Sequence, residues 1–176
     1  MELESIYTRI EYERRFLVKP NSGWEKSVKS YSKLFEDIYL SNTRLRLRML
    51  TDSDSDRRII KLTKKAVSES PYFRTISRIL LSQDEYNVLS RLDGKHIVKV
   101  RHYCDYRSRV FSIDVFQGEL HGLILSEVES DGIDDLMSVE APAFAAIEVT
   151  EDPFFDGENL STVSPNDLQA KLEKIS

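Results

Sequence analysis

Cysteine is almost absent from this 176-residue chain, and its scarcity narrows the possible classes of protein. The single cysteine, Cys104, excludes a disulfide within the chain, and no cysteine or histidine spacing indicates a zinc site. No apolar run approaches the length needed to cross a membrane. Repeats, low-complexity tracts and inner linkers are also missing, so we predict one domain over residues 1–176.

Positive charge is in deficit, because 25 lysines and arginines face 30 aspartates and glutamates. The formal net charge of -5 argues against general electrostatic binding to nucleic acid or to an acidic membrane. We therefore expect the basic residues to act together in a local, walled site. The acidic residues 1–5 lack the basic-then-apolar layout of a secretion signal, which favours a cytoplasmic protein.

Charged and apolar residues alternate along most of the chain. In an extended strand alternate side chains share a face, so Glu11, Glu13 and Arg15 project together. A wet face of an ordinary antiparallel sheet would also alternate, but it would not explain rows of like charge without neutralising partners. Such rows indicate a counter-ion from outside the chain. The later rows are Arg44, Arg46 and Arg48; Lys61, Thr63 and Lys65; Lys99, Arg101 and Tyr103; Asp114; Glu127 and Glu129; and Glu148.

Turn and capping signals divide the chain into strands and a few short helices. Residues 22–25 and 82–85 each have the pattern of a capping box that opens a helix. A last helix over about 164–175 has one apolar stripe, which we expect to seal against the sheet. The predicted strands cover roughly residues 7–18, 33–41, 43–50, 57–66, 71–81, 95–105, 107–117, 123–130 and 144–150.

About eight antiparallel strands can lose their free edges by closing into a barrel. The alternation offers charged side chains for the interior and apolar ones for the outside, where helices can cover them. This arrangement is stable only if the interior is wet and holds ions, because unpaired buried charges are costly. The periodicity predicts an α+β fold that is mainly antiparallel β, and it leaves a tunnel and an open, curved sheet as alternatives.

Taken together, the rows resemble the CYTH domain, also called the triphosphate tunnel metalloenzyme family. Its hallmark is Glu-x-Glu-x-Lys on the first strand, followed by Arg-x-Arg, Lys, Lys-x-Arg, Asp, Glu-x-Glu and Glu-Val-Thr strands. The same order runs here from residue 9 to about residue 160, except that Arg15 stands where the hallmark has lysine. The resemblance implies a closed, eight-stranded antiparallel tunnel with a charged lumen and a few helices outside. The matching positions are Glu11, Glu13, Arg46, Arg48, Lys61, Lys99, Arg101, Asp114, Glu127, Glu129 and Glu148.

The resemblance also implies a divalent-metal-dependent hydrolase that cleaves a phosphoanhydride bond of a triphosphate, with inorganic tripolyphosphate as the leading substrate. Arginine stays protonated, so Arg15 could hold phosphate but could not act as a base. We therefore expect Glu127 or Glu129 to steer a metal-activated water. The implied ligands of Mg²⁺ or Mn²⁺ are Glu11, Glu13, Asp114 and Glu148. The implied phosphate ligands are Arg46, Arg48, Lys61, Lys99 and Arg101, and the catalytic residues are Glu13, Arg15, Glu127 and Glu129.

Several alternatives stay open at this point. Thiamine triphosphatase and adenylate cyclase share the fold but need a pocket for an organic group. No such pocket is evident, because Trp24, Tyr72 and Phe73 are expected to pack in the core or at a rim. A non-catalytic binder of polyphosphate or a nucleotide is a second class, and a barrel without a ligand is a third. In each case we expect a monomer or homodimer that binds neither nucleic acid nor membranes.

Some basic residues have no firm assignment. Arg44, Lys65, Arg74 and Arg78 fit either the site or its solvated rim, whereas Arg107 and Arg109 are expected at the surface.

Overall fold

Eight antiparallel strands close into a barrel, and a short ninth strand extends it. The computed structural model describes residues 7–175, so the N-terminal segment behind the localisation prediction lies outside it. The strands are β1 Thr8–Val18, β2 Val28–Leu40, β3 Leu45–Asp52, β4 Arg58–Lys65, β5 Phe73–Leu81, β6 Gly94–Tyr106, β7 Arg109–Phe116, β8 Ile124–Ser130 and β9 Ala145–Glu148. The order around the barrel is β1-β5-β4-β3-β2-β6-β7-β8, and β8 pairs with β1 again. The closed barrel is therefore confirmed over the open sheet.

Closure depends on β1, whose two halves use different neighbours. On one edge, residues 8–12 pair with β5 and residues 16–18 pair with β9; the other edge pairs with β8. Glu13 stands opposite Glu129, and Arg15 stands opposite Glu127. Because cross-strand partners share a face, β1 and β8 project these four charged side chains to the same side of the sheet.

Most apolar side chains lie on the outer face, where helices and loops cover them. One cluster around Trp24, Phe111 and Phe144 packs beside the helix Ile133–Met137, and another around Leu47 packs under the helix Gln83–Leu89. Charged residues such as Asp114 are instead buried inside the barrel, as the alternation predicts. The helices are α1 Gln83–Leu89, α2 Ile133–Met137, α3 Gly157–Leu160 and α4 Pro165–Ile175, with 3-10 turns at Trp24–Ser27, Gly118–Leu120 and Pro153–Phe155.

The two predicted capping boxes have different outcomes. At α1 the Ser82 hydroxyl accepts from the Glu85 amide and the Glu85 carboxylate accepts from the Ser82 amide, so that box is confirmed. The box at residues 22–25 is wrong: Gly23, with φ of 75°, precedes a 3-10 turn and makes no side-chain cap. Only glycine adopts this left-handed conformation readily, and the turn buries Trp24 against the barrel.

The C-terminal helix α4 packs against the barrel, as its stripe predicts. Leu168 is buried, and Leu172 and Ile175 pack on the same cluster. Within residues 7–175, no helix is long and apolar enough to span a membrane.

Candidate active site

The inward faces of the strands line a polar cavity of about 230 Å³ inside the barrel. All five predicted phosphate ligands line it, so the structure brings them together. The cavity also contains four carboxylates, two from β1 and two from β8. Its charged lining comprises Arg9, Lys33, Arg46, Arg48, Lys61, Lys65, Arg78, Lys99 and Arg101 together with Glu11, Glu13, Glu127 and Glu129.

The basic wall is built by the neighbouring strands β3, β4 and β5, and one of its cross-strand pairs joins two cations. Arg48 of β3 stands opposite Lys61 of β4, and Arg46 stands opposite Thr63, which in turn faces Arg78 of β5. Like charges in this position repel and destabilise the sheet unless an anion lies between them. The wall therefore has the character of an anion site.

The pKa values of two of these cations reflect this repulsion. Burial lowers the pKa of Lys61, and Arg78 and Arg48 lower it further. Burial also lowers the pKa of Arg78, and Arg9 and Arg46 add to that effect despite nearby Glu11. The Nε atoms of Arg46 and Arg78 are buried without a hydrogen-bond partner among the described residues. A bound anion would supply the missing acceptors.

Asp114 is held by two basic side chains. Its fully buried carboxylate accepts from Arg101 Nε and Nη2, each at 2.6 Å, and it also accepts from Lys99 Nζ. Both oxygens are thus engaged by cations, so we revise the assignment of Asp114 from metal ligand to counter-ion. It orients two predicted phosphate ligands toward the lumen.

Asp37 belongs to the candidate site, although the sequence alone does not indicate it. Its carboxylate is 2% exposed and accepts from Arg48 Nε at 2.5 Å and from Arg48 Nη2 at 2.6 Å. Burial would raise its pKa, but Arg48 and Arg46 lower the pKa to about 2. Nothing in the local sequence marks Asp37, because only the register between β2 and β3 places it opposite Arg48.

The carboxylates of β1 and β8 form an acidic wall across the cavity. One nitrogen, Arg9 Nη2, lies 3.3 Å from Glu11 Oε1 and 3.7 Å from Glu129 Oε2. Burial raises the pKa of Glu129, and Glu11 and Glu127 raise it further. Burial would also raise the pKa of Glu11, but Lys65, Arg46 and Arg78 hold it below its ordinary value. Arg9 therefore offsets part of the repulsion between Glu11 and Glu129.

Glu148, the fourth predicted metal ligand, lies on the opposite face of the wall. The register pairs it with Phe16, whose side chain points away from the lumen. Its carboxylate accepts from Arg14 Nε at 2.9 Å and from Arg14 Nη2 at 2.6 Å. The structure therefore separates Glu148 from Glu11 and Glu13. Within residues 7–175, no three His, Cys, Asp or Glu side chains are already arranged around a metal position.

Arg15 is enclosed by protein acceptors. Its guanidinium donates to Glu13 Oε1 at 2.8 Å, to Phe155 O at 2.8 Å and to Asp156 Oδ1 at 3.1 Å. Arg15 Nε also lies 3.5 Å from Glu127 Oε1. These contacts are typical of a side chain that stabilises the fold and not of one that binds substrate.

The unassigned basic residues line two cavities, and one of them lines both. Lys65 and Arg78 line the main cavity, while Arg44 and Arg74 line a smaller one of about 100 Å³ beneath α3. Lys65 also lines the smaller cavity. Arg107 and Arg109 pair with Glu140 and Asp135 at the surface, as expected.

The three candidate stacking residues pack away from the lumen. Trp24 packs on His102, Phe73 contacts Tyr12, and the Tyr72 hydroxyl donates to Glu151.

Comparison with known proteins identifies the fold through solved structures and not through sequence matches. No protein-family model and no curated protein matches the chain. The solved structures that match include NE1496, described once as a hypothetical protein and once as an inorganic triphosphatase. The match has 23% identity and a TM-score of 0.57, and covers 88% of this chain and 99% or 96% of NE1496.

Two further matches agree with it. The PH1819 protein from Pyrococcus horikoshii OT3 has 20% identity and a TM-score of 0.52, covering 72% of this chain and 82% of its own. A putative adenylate cyclase from Bacillus halodurans has 15% identity and a TM-score of 0.50, and the match covers 75% of this chain and 86% of the cyclase chain. The chain has the CYTH fold. Identities this low establish the fold alone, so the chemistry has to be argued from the lumen of this chain.

Proposed function

We propose that the chain is a divalent-metal-dependent hydrolase of triphosphates whose preferred substrate is inorganic tripolyphosphate. The observation that carries the proposal is the charge balance of the lumen. Nine basic side chains line the main cavity against four carboxylates, and Asp37, Asp114 and Asp52, the partner of Lys33, offset three more, which leaves a surplus of two positive charges. One divalent cation would bring the surplus to four, close to the about four to five negative charges of a triphosphate.

The basic residues have two different parts in this binding. Lys61 and Arg78 carry the least compensated charge, so they are the proposed direct phosphate ligands, together with Arg46, whose buried Nε has no acceptor among the described residues. Among the described residues Lys61 and Arg46 make no ion pair, and Arg78 has one carboxylate contact of 3.5 Å. Arg48, Lys99 and Arg101 are held in place by Asp37 and Asp114 and add oriented charge from β3 and β6. The fork of arginine suits phosphate oxygens, which it binds two at a time.

The acidic wall fits Mg²⁺ or Mn²⁺ better than the predicted set of four ligands does. Arg9 Nη2 already places a positive charge between Glu11 and Glu129, and Glu13 stands opposite Glu129 on the neighbouring strand. Mg²⁺ is usually held by one or two carboxylates together with substrate phosphates, so a ready cluster of three is not required. We propose Glu11 and Glu13 as the ligands, without Asp114 and Glu148. When bound, the cation would neutralise charge on the phosphate oxygens and the leaving group.

Catalysis by the protein itself would be mainly positioning. Phosphoryl transfer needs little covalent work from the enzyme, and fixed cations stabilise the charge that develops. Glu129 is the best candidate to accept the proton of the attacking water, because its pKa is raised. Glu127 is less suitable: burial would raise its pKa, but Arg101, Lys99 and Arg15 hold it well below its ordinary value. Glu127 would instead remain ionised and orient Arg101.

A phosphate-release assay tests the proposal. Tripolyphosphate, ATP and thiamine triphosphate are each incubated with Mg²⁺, Mn²⁺ or a chelator, using wild type, Glu129→Gln and the exposed control Glu119→Gln. We expect release from tripolyphosphate that requires a divalent cation and is lost only in Glu129→Gln. Faster release from thiamine triphosphate or ATP would identify that compound, in place of tripolyphosphate, as the preferred substrate. Tight binding without release would assign the chain to the non-catalytic binders.

The biological setting proposed from the sequence is unchanged. The partner is a triphosphate-containing small molecule, with neither nucleic acid nor membrane involved. The cytoplasmic location and the monomeric or homodimeric state stay predictions.

A further inference from the structure

An aromatic ring lies among the charged side chains of the lumen. Phe35 of β2 stands opposite Leu50 of β3 and opposite Lys99 of β6, and its side chain lines the main cavity. Its neighbours on the same face of β2 are Lys33 and Asp37. Phe35 is only 3% exposed, so a buried ring interrupts a row of charged side chains. The ring adds nothing to the charge balance of the cavity, and its position there has to have another reason.

Three cations lie over this ring. The guanidinium carbon of Arg48 is 4.6 Å from the ring centroid of Phe35, and that of Arg101 is 4.9 Å from it. Lys99 Nζ lies 5.8 Å from the same centroid. A cation within about 6 Å of a ring centroid is attracted by the negative charge of the ring face. Within residues 7–175, no other ring meets more than one cation.

The carboxylates and the ring hold different parts of the two guanidinium groups. Asp37 accepts from Nε and Nη2 of Arg48, and Asp114 accepts from Nε and Nη2 of Arg101, so one edge of each planar group is fixed. Contact with Phe35 restricts each group from a further direction. No hydrogen bond joins Nη1 of either arginine to another of the described residues, so this nitrogen is available to an anion.

We propose that Phe35 is a positioning residue of the triphosphate site, whose ring holds Arg48, Lys99 and Arg101 in one fixed arrangement before the ligand binds. Ordering long side chains during binding costs affinity, so cations that are already held should bind phosphate more tightly. Leucine at this position would fill much of the same space but would not attract the cations. The inference rests on the proposed function, because the ligand that these cations meet is a triphosphate.

Stepwise fluorination of the Phe35 ring tests this role, because fluorine withdraws negative charge from the ring face and changes its size little. Phenylalanine analogues with one, two and three fluorine atoms are placed at position 35 of the full chain, and the affinity for tripolyphosphate with Mg²⁺ is measured by calorimetry. We expect each added fluorine to weaken binding, by about tenfold in total.

The matched control is the same series at Phe111, a fully buried ring of the outer cluster over which no described cation lies. Those substitutions should leave the affinity unchanged. Phe35→Leu should weaken binding at least as much as the most fluorinated ring. Affinity that stays constant along the series at position 35 would overturn the inference, since a residue that only fills space would give that result.

Nuclear magnetic resonance of the arginine side chains tests the arrangement without ligand. The ring current of Phe35 should shift the Nε–H signals of Arg48 and Arg101, so both signals should move in Phe35→Leu. The signal of Arg109, which pairs with Asp135 at the surface, should not move. Unmoved signals of Arg48 and Arg101 would contradict the placement of the ring.

The two proposals fail in different ways. If tripolyphosphate does not bind to wild type, the proposed function fails and the positioning role fails with it. If tripolyphosphate binds with an affinity that ignores fluorination at position 35, only the positioning role of Phe35 fails.

Discussion

Asp37→Asn should perturb the lumen more sharply than any surface change. The substitution keeps the shape of the side chain but removes the charge that Arg48 binds through two hydrogen bonds. Arg48 and nearby Arg46 would then face each other without their counter-ion from β2. We expect the free energy of unfolding to fall by about 3 to 5 kcal/mol, because breaking a buried pair leaves uncompensated charge.

The pH dependence of the free energy of unfolding gives a second quantity to measure. Burial would raise the pKa of Asp37, but the arginines lower it from 3.8 to about 2. A carboxyl group with a depressed pKa stabilises the fold above its unfolded pKa, and that contribution is lost as the pH falls through the folded pKa. Wild type should therefore lose about 2 kcal/mol between roughly pH 4 and pH 2 that the Asp37→Asn variant does not lose.

Urea unfolding, followed through the single tryptophan, Trp24, measures both effects. Asp52→Asn is the matched control, because Asp52 pairs with Lys33 at 3.1 Å while both side chains are 27% exposed. Its loss should stay below about 1 kcal/mol. Tripolyphosphate should restore part of the stability of Asp37→Asn, since binding to the folded state stabilises it. Equal losses in the two variants would refute the role of Asp37 as a buried counter-ion.

Three further predictions concern the two walls of the cavity. Glu129→Gln should raise the thermal midpoint of the ligand-free protein, because the raised pKa of Glu129 shows that its charge is disfavoured; a lower midpoint would contradict this. Lys61→Met should also raise that midpoint by removing repulsion from Arg78 and Arg48, and a fall would show that Lys61 has a stabilising partner. Glu13→Gln should abolish metal-dependent phosphate release, and full retained activity would exclude the carboxylates of β1 from the mechanism.

The fold was predictable because the lumen reverses the usual pattern of burial. Rows such as Arg46 with Arg48, or Glu127 with Glu129, have a period of two and one sign of charge, which an ordinary wet sheet does not require. The periodicity fits a closed barrel and an open, curved sheet alike, and the resemblance to the CYTH domain is what favoured closure. The predicted strand boundaries differ most at β2, which begins at Val28, because the polar stretch before Lys33 carries little alternation.

The candidate site was only partly predictable, since several contacts depend on register or on distant segments. Glu148 has the residue type of a metal ligand, but pairing with Phe16 turns it outward. Asp37 becomes important only opposite Arg48. Arg15 meets Asp156 across 141 positions of sequence, and no local pattern predicts such a contact.

Calorimetric titration of wild type with tripolyphosphate in the presence of Mg²⁺ tests most directly whether the charged lumen is a triphosphate site. We predict one site per chain, with affinity reduced by about tenfold or more in Lys61→Met, equivalent to about 1.4 kcal/mol. No binding by wild type, or full affinity in Lys61→Met, would contradict the assignment of the lumen.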